Sequence, residues 1–378
     1  MKKILFITID PIEYRRRTLN QIASAKEAGF EVEAISAAEF GKRYPTETEP
    51  CPIRRIYLPV QRGPLKFIIF NLKVFFKVCF CNYAIIHARG LWTLPAVYKY
   101  ILVHRSRVVY EAHEYFAGHE IFQTRPIRKF IWLLVERMTM PYVDALITVS
   151  EPLARAYQKD YPDLQNVQVI RSLPSINDFR KDDIGTEKPA ERPFTFHFHG
   201  YFHKGRALEQ IILAFDNIRD LDVRLILIGK GPLEKRLKNL VKEKNLAQKI
   251  IFHDFIPNAQ LIDFIRQADV GLALIQADSI NRKYSLPNKF FEYIMAGLPV
   301  LAGNIPTLEE YTNKYNVGLT ADPDDIEAIA KAMHEMVKNK ETLSTWRENC
   351  KKAAKELNWE NEAKKMRDIY SGVLKSMD

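Results

Sequence analysis

The feature that most constrains this chain is a repeated alternation of short, largely apolar runs with helical stretches. KKILFITI is followed by a helical stretch through Ala28, a stop at Gly29, and then FEVEAISA. Runs this rich in apolar residues suit buried strands, and a glycine after the last helical residue is a stop signal. A strand, helix, strand opening of this kind begins a parallel, doubly wound α/β sheet. Further strand-like runs recur at Tyr83 to Ala88, Arg107 to His113, Ala145 to Ser150 and Val167 to Ser172.

A second series starts after the polar, proline-containing stretch from Pro174 to Pro193. It runs FTFHFHG, a helix with Leu208, Ile211, Ile212 and Phe215 at helical spacing, then VRLILIGKG, KIIFHDF, VGLALI and LPVLAG. At 378 residues the chain is too long for one comfortable core. The expectation is therefore an N-terminal Rossmann-like domain at 1–180 and a C-terminal one at 181–358. After Pro323 a helix is expected with Ile326, Ile329, Ala330 and Met333 on one side, and the tail 359–378 reads as helix to its end.

Lys and Arg exceed Asp and Glu by 56 − 46 = 10, which favours an anionic partner. No recognisable nucleic-acid module accompanies the charge, so the phosphate of a small substrate or an anionic membrane is preferred and nucleic acid is not expected. MKKILFITID starts like a signal peptide, but Asp10 ends the run too early and no small-residue cleavage site follows. Cys51, Cys79, Cys81 and Cys350 lack metal-ligand spacing, which fits a reducing cytoplasm. His113-Glu114 and His119-Glu120 suggest zinc, yet their histidines are not four apart; His197 and His199 read as strand packing, and Asp322-Pro323-Asp324 as a helix cap. No metal or cofactor is expected.

TIDPIEYRRRT stands where a dinucleotide enzyme carries GxGxxG, which argues against a cofactor in the first half. The second half does place glycines at strand ends: Gly200, and Gly229-Lys230-Gly231-Pro232, where Pro232 suits the first turn of a helix. Its free amides then face a phosphate or simply close a tight turn. In GYFHKGRALE, Lys204 and Arg206 precede a helix and could neutralise a diphosphate, or be solvated charges. The strongest local signal is YSLPNKFFEYIMAGLPVLAG. Pro287 and Asn288 open a helix, Lys289 adds charge at its start, and Glu292 one turn in can accept two hydrogen bonds from a ribose diol.

At these residues the chain resembles the retaining glycosyltransferases of family 4, of GT-B architecture: two Rossmann-like doubly wound domains facing each other across a cleft. The resemblance runs through YEAHEYF, ALITVSEPLA, GYFHKGRALE, LILIGKGPLEKRL, FIPNAQLIDFIRQADVGLAL and LPNKFFEYIMAGLPVLAG. It implies transfer of a sugar from a nucleotide diphosphate, a UDP-sugar first, to a glycan or lipid-linked acceptor, in bacterial cell-surface polysaccharide synthesis. It also implies that Glu292 binds the ribose, that Lys204 or Arg206 with Lys289 holds the diphosphate, and that His113 reaches the donor sugar. The tail helix would return to the first domain. Members often carry a glutamate eight positions before the Glu292 equivalent; here that position is Tyr284, so Asn288 or the amides of Ser285 and Leu286 would contact the sugar. A retaining transferase of this type is implied to work by front-face attack, with the leaving phosphate taking the acceptor proton and no metal. A GT-B epimerase and a non-catalytic nucleotide-sugar-binding subunit are the alternatives.

LKFIIFNLKVFFKVCF is apolar, but Lys66, Lys73 and Lys77 interrupt it. On a helix those lysines form one basic stripe against a Phe- and Ile-rich remainder, the pattern of either a peripheral membrane helix or a plain domain-surface helix.

Overall fold

The computed structural model describes residues 2–44, 51–119, 122, 125–179, 192–254, 256 and 258–375. Glu120 and most of the expected linker therefore lie outside the described residues. The chain divides into two compact units, Met1–Arg171 with Glu362–Asp378, and Ser172–Asn361. The division falls at the end of an apolar run, ahead of position 180.

The first unit contains β1 (Lys3–Thr8), α1 (Arg16–Glu27), β2 (Glu31–Glu39), β3 (Ile53–Leu58), α2 (Pro64–Val78), β4 (Ile85–Arg89), α3 (Leu94–Ile101), β5 (Arg107–Glu111), α4 (Pro126–Thr139), β6 (Ala145–Thr148), α5 (Glu151–Asp160) and β7 (Val167–Val169). Its seven strands run in the order β3-β2-β1-β4-β5-β6-β7, all parallel. The MKKILFITID run is the middle of this sheet. Order reverses between β1 and β4, where a doubly wound sheet leaves a crevice beyond its strand ends.

The second unit contains α6 (Ile176–Phe179), β8 (Phe194–His199), α7 (Leu208–Asn217), β9 (Val223–Ile228), α8 (Glu234–Glu243), β10 (Ile250–His253), α9 (Asn258–Gln267), β11 (Val270–Ala273), α10 (Ile280–Lys283), α11 (Asn288–Met295), β12 (Val300–Gly303), α12 (Pro306–Tyr315), β13 (Gly318–Ala321), α13 (Ile326–Lys338) and α14 (Lys340–Ala354). Strand order is β10-β9-β8-β11-β12-β13, again parallel, with the reversal at β8 and β11. Leu208, Ile211, Ile212 and Phe215 of α7 are all buried in the core. Each such side chain contributes about 1.5–3 kcal/mol on burial.

The last helix, α15 (Trp359–Lys375), belongs to the first unit from Glu362 onward. Two polar anchors hold it there. The Tyr370 hydroxyl lies 2.9 Å from His87 Nδ1, and the buried Glu362 carboxylate accepts from the backbone N–H and the guanidinium of Arg171.

Several local expectations need correction. β3 and β13 are edge strands that the apolar pattern does not reveal: β3 carries Arg54 and Arg55, and β13 is only four residues, three of them half-buried. Pro232 is not in a helix's first turn, because α8 begins at Glu234 and the Gly231 carbonyl accepts from the Glu234 N–H. Asp325, not the Asp322-Pro323-Asp324 group, caps α13 by accepting from the N–H groups of Glu327 and Ala328.

Candidate active site

In the second unit the residues after β8 and the start of α11 enclose a pocket of ≈ 570 Å³ at the strand-order reversal. Its lining includes His199, Gly200, Arg206, Gly229, Asn288, Lys289 and Glu292. α11 lies against β8 through paired contacts. The Tyr293 hydroxyl donates to the His197 carbonyl at 3.0 Å, and His199 Nε2 lies 2.7 Å from Glu292 Oε2. Gly271 of β11 makes this possible, since a Cβ there would sit 2.3 Å from the Tyr293 ring.

Lys289 is the electrostatic centre. It is 8% exposed, its ammonium stands 3.4 Å from the centroid of the Phe198 ring, and it forms no ion pair among the described residues. Burial, and then the charge of Arg206, hold its pKa well below the ordinary 10.5, against the opposing pull of Glu292. Burial and Arg282 likewise lower that of Arg206, whose Nε donates to His203 Nε2 at 3.2 Å. Lys289 and Arg206 outnumber Glu292, the one carboxylate of the described lining, and this excess of positive charge favours an anion. Gly200, at φ +132°, gives the ammonium its room: a Cβ there would lie 3.3 Å from Nζ. Gly229 allows the two strand ends to touch, because a Cβ on it would be 2.0 Å from the Gly200 carbonyl oxygen.

The other residues singled out by sequence are distributed differently. Pro287 lines the pocket, and so does Lys230, which sequence reasoning passed over. Lys204 is exposed and outside the lining; Arg206 is the cation that enters. Gly231 packs on the backbone of Phe202, whose carbonyl also accepts from the Leu233 N–H, so the GKGP segment is a tight turn. Ser285 donates its hydroxyl to the Arg282 carbonyl, Leu286 is buried in the core, and Tyr284 is half-buried outside the lining. His199, read as strand packing, lines the pocket and meets Glu292.

The first unit carries a second polar cluster at its own strand ends. Glu111 closes β5, fully buried, and meets Arg17, His87 and Arg89. Burial alone would raise its pKa, but Arg17, the His87 hydrogen bond and Arg89 outweigh it and hold the carboxyl well below its ordinary range. Arg89 reaches Asp10 at 3.3 Å. His113 lies two residues beyond Glu111, half-buried, with its Cε1 3.4 Å from where a Gly90 Cβ would be. Burial and then Arg89 lower its pKa, which keeps the imidazole neutral, and its buried Nδ1 has no hydrogen-bond partner among the described residues.

The decoys resolve locally. His119 pairs with Glu114 at 2.8 Å, and His197 is buried and neutral beside Tyr293. Among the described residues no group of three or more His, Cys, Asp or Glu side chains is placed to hold a metal ion.

Comparison with known proteins decides the family. Residues 15–172 match the model described as Glycosyltransferase Family 4, and residues 179–355 match Glycosyl transferases group 1. The chain belongs to the family 4 glycosyltransferases. Its two Rossmann-like units are those of the GT-B fold. A D-inositol 3-phosphate glycosyltransferase of Corynebacterium urealyticum is 27% identical over 260 residues, 64% of this chain and 59% of that one. The uncharacterized glycosyltransferase MJ1178 of Methanocaldococcus jannaschii is 25% identical over 159 residues, 42% of this chain and 43% of its own. The matched stretch thus spans less than two thirds of either relative. Among solved structures, a sucrose-phosphate synthase from Thermosynechococcus elongatus superposes with TM-score 0.77 at 19% identity, covering 100% of both chains. The HepE protein of Anabaena in complex with UDP and glucose gives 0.74 at 16%, covering 98% of this chain and 100% of that one.

Proposed function

We propose that this glycosyltransferase moves a sugar from a nucleoside diphosphate sugar to a hydroxyl of a glycan or lipid-linked acceptor, with retention at the anomeric carbon. The observation that carries the reading is the buried Lys289 ammonium, which forms no ion pair among the described residues and shares its pocket with Arg206, Glu292 and the first turn of α11. Two phosphates there would supply the missing anionic charge, and a ribose would meet the Glu292 carboxylate. UDP is the nucleotide we favour, because the HepE neighbour is solved in complex with UDP and with UDP-glucose.

In this reading the acceptor oxygen bonds to the anomeric carbon as the bond to the diphosphate breaks, and the acceptor proton passes to a leaving phosphate oxygen. The protein supplies orientation and stabilisation of the leaving charge, terms able to provide much of a transferase's acceleration. His113 would face the sugar or acceptor. The setting we favour is cell-surface polysaccharide synthesis in bacteria at the inner face of the membrane, with α2 as the peripheral attachment. No described helix is long and apolar enough to cross a membrane.

The test pairs calorimetric titration of nucleoside diphosphates with product analysis for the corresponding sugar donors. Selective nanomolar-to-micromolar binding with transfer that survives EDTA is expected. Loss of transfer with EDTA, restored by magnesium or manganese, would remove the metal-independent mechanism. Binding with neither transfer nor donor hydrolysis would make the chain a nucleotide-sugar-binding subunit, the reading that Tyr284 at the expected glutamate position supports.

A further inference from the structure

The first unit also holds a cavity among its helices. α2, α3 and α4 enclose a second pocket of ≈ 630 Å³, within the size range of ligand sites of about 300–1,000 Å³. Its floor is aromatic: the Trp92 and Trp132 rings stand edge to face at 4.7 Å, with Phe67 4.8 Å from Trp92. Its rim is basic, formed by Arg62, Lys66, Lys99, Arg125 and Arg128, and none of the described lining residues is acidic.

The helices around it are apolar where they ought to be wet. α2 buries Phe70, Val74 and Val78 toward the sheet, yet its opposite side exposes Leu65, Ile68, Leu72 and Phe76 at helical spacing. α4 does the same with Ile127, Phe130, Ile131, Leu134 and Met138, of which Ile127 is 75% exposed. Along α2 there is no acidic residue, and the acid of α4, Glu136, is buried. The three lysines of the expected stripe divide: Lys66 lines the pocket, while the Lys73 ammonium donates to the Tyr57 carbonyl at 3.0 Å.

Two parallel stripes of exposed apolar side chains flanking an aromatic cavity mark a surface that meets something apolar. A uniformly cationic rim selects what that is. A second copy of this chain would bring the same cations face to face, because a two-fold interface is self-complementary. An anionic lipid meets both requirements in one molecule. We infer that the α2–α3–α4 pocket binds one anionic phospholipid of a bilayer, its hydrocarbon chain against Phe67, Trp92 and Trp132 and its phosphate among Arg62, Lys66, Arg125 and Arg128. The inference rests on the membrane attachment proposed above and adds to it a defined, saturable lipid site. Binding requires neither donor nor acceptor sugar.

The experiment uses the full chain and two readouts. Co-sedimentation with phosphatidylcholine vesicles, with and without an equal part of phosphatidylglycerol, reads attachment. Quenching of tryptophan fluorescence by phosphatidylglycerol brominated in its acyl chain reads entry into the pocket, because Trp92 and Trp132 line it. Attachment that needs phosphatidylglycerol, with saturable quenching, is expected. Ile68→Glu with Ile131→Glu, both exposed positions with little folding risk, should abolish quenching; Arg125→Glu with Arg128→Glu should weaken attachment by about tenfold or more. Attachment with no quenching beyond that of the Ile68→Glu, Ile131→Glu variant would overturn the pocket while sparing the membrane reading. Quenching by a water-soluble, short-chain brominated phosphatidylglycerol without vesicle attachment would do the reverse. A lipid-free dimer disrupted by Ile68→Glu would replace the lipid with a second copy.

Discussion

At the scale of single residues the second unit turns on a lysine that cannot comfortably be charged. In the empty protein burial depresses the Lys289 pKa, so the folded chain binds fewer protons than the unfolded one over the range between the depressed value and the ordinary 10.5. Stability of the empty unit therefore rises with pH across that range. A diphosphate favours the ammonium and pulls its pKa back up. Nucleotide binding should accordingly take up protons and weaken as pH rises; titration calorimetry in buffers of different ionisation enthalpy reads this directly, and zero uptake from about pH 6 to about pH 9 would remove Lys289 from the phosphate site. Glu292 is the companion test. Glu292→Ala should cost about 1.5–3 kcal/mol of nucleoside diphosphate affinity, the range for charge-assisted hydrogen bonds, and an unchanged affinity would place the ribose elsewhere. Glu292 and Lys289 are readable in the sequence because PNK opens a helix and fixes what lies one turn on. His199 is not, since a histidine alternating with phenylalanines has the same pattern whether its ring packs or binds a carboxylate 93 positions away.

At the scale of elements, α11 is placed by its fit on β8 and β11. Gly271→Ala would drive a methyl into the Tyr293 ring, and overpacking of this kind costs about 1–3 kcal/mol. Because Glu292 neighbours Tyr293, the same change should lower nucleotide affinity as well as melting temperature; a variant that loses stability and keeps full affinity would show that α11 moves independently of the pocket. In the first unit α4 carries its own titrating group. Glu136 is buried and accepts from the hydroxyls of Tyr110 and Tyr161, and burial pushes its pKa up to about 7. A carboxyl raised in the fold favours the folded state fully below its ordinary value of 4.5 and loses that contribution as pH climbs through about 7. Glu136→Gln should therefore gain stability at alkaline pH, by up to about 3 kcal/mol, and little at acid pH in thermal melts; equal effects at both would mean the carboxyl titrates normally. Which elements exist was legible wherever strands are apolar on both faces. β3 escaped because Arg54 and Arg55 interrupt its apolar run, and β13 because it is only four residues long.

At the scale of the molecule, two parallel sheets in one chain follow from the order of runs, as does the existence of the tail helix; its return to the first unit, where Arg171 and His87 hold it, is what the family resemblance implies. What the order of runs does not convey is which buried polar groups meet, and the Arg17, Arg89 and Glu111 cluster is of that kind: each residue taken singly is an ordinary strand-end or helix residue. The described lining of the pocket proposed for the nucleotide lies in the second unit, whereas His113 belongs to the first. That separation gives the last prediction. His113 follows β5 at the carboxyl end of a parallel sheet, where ligands gather, and it presents a neutral imidazole whose buried Nδ1 has no partner among the described residues. A hydrogen bond from such a group, strengthened as the donor sugar distorts toward the transition state, lowers the barrier without adding ground-state nucleotide affinity. His113→Ala should thus bind nucleoside diphosphate nearly as the parent does and lose roughly tenfold to a thousandfold in transfer, about 1.4 to 4 kcal/mol of barrier. The competing account makes His113 a packing residue against Gly90 and Phe116, in which case His113→Ala lowers the melting temperature and His113→Phe restores both melting temperature and turnover. His113→Asn completes the comparison by keeping a polar group at the same place with little added bulk. A stable His113→Ala protein with full turnover would leave the imidazole no part in the chemistry, while a stable one that binds nucleotide and fails to transfer would place the reacting sugar within its reach.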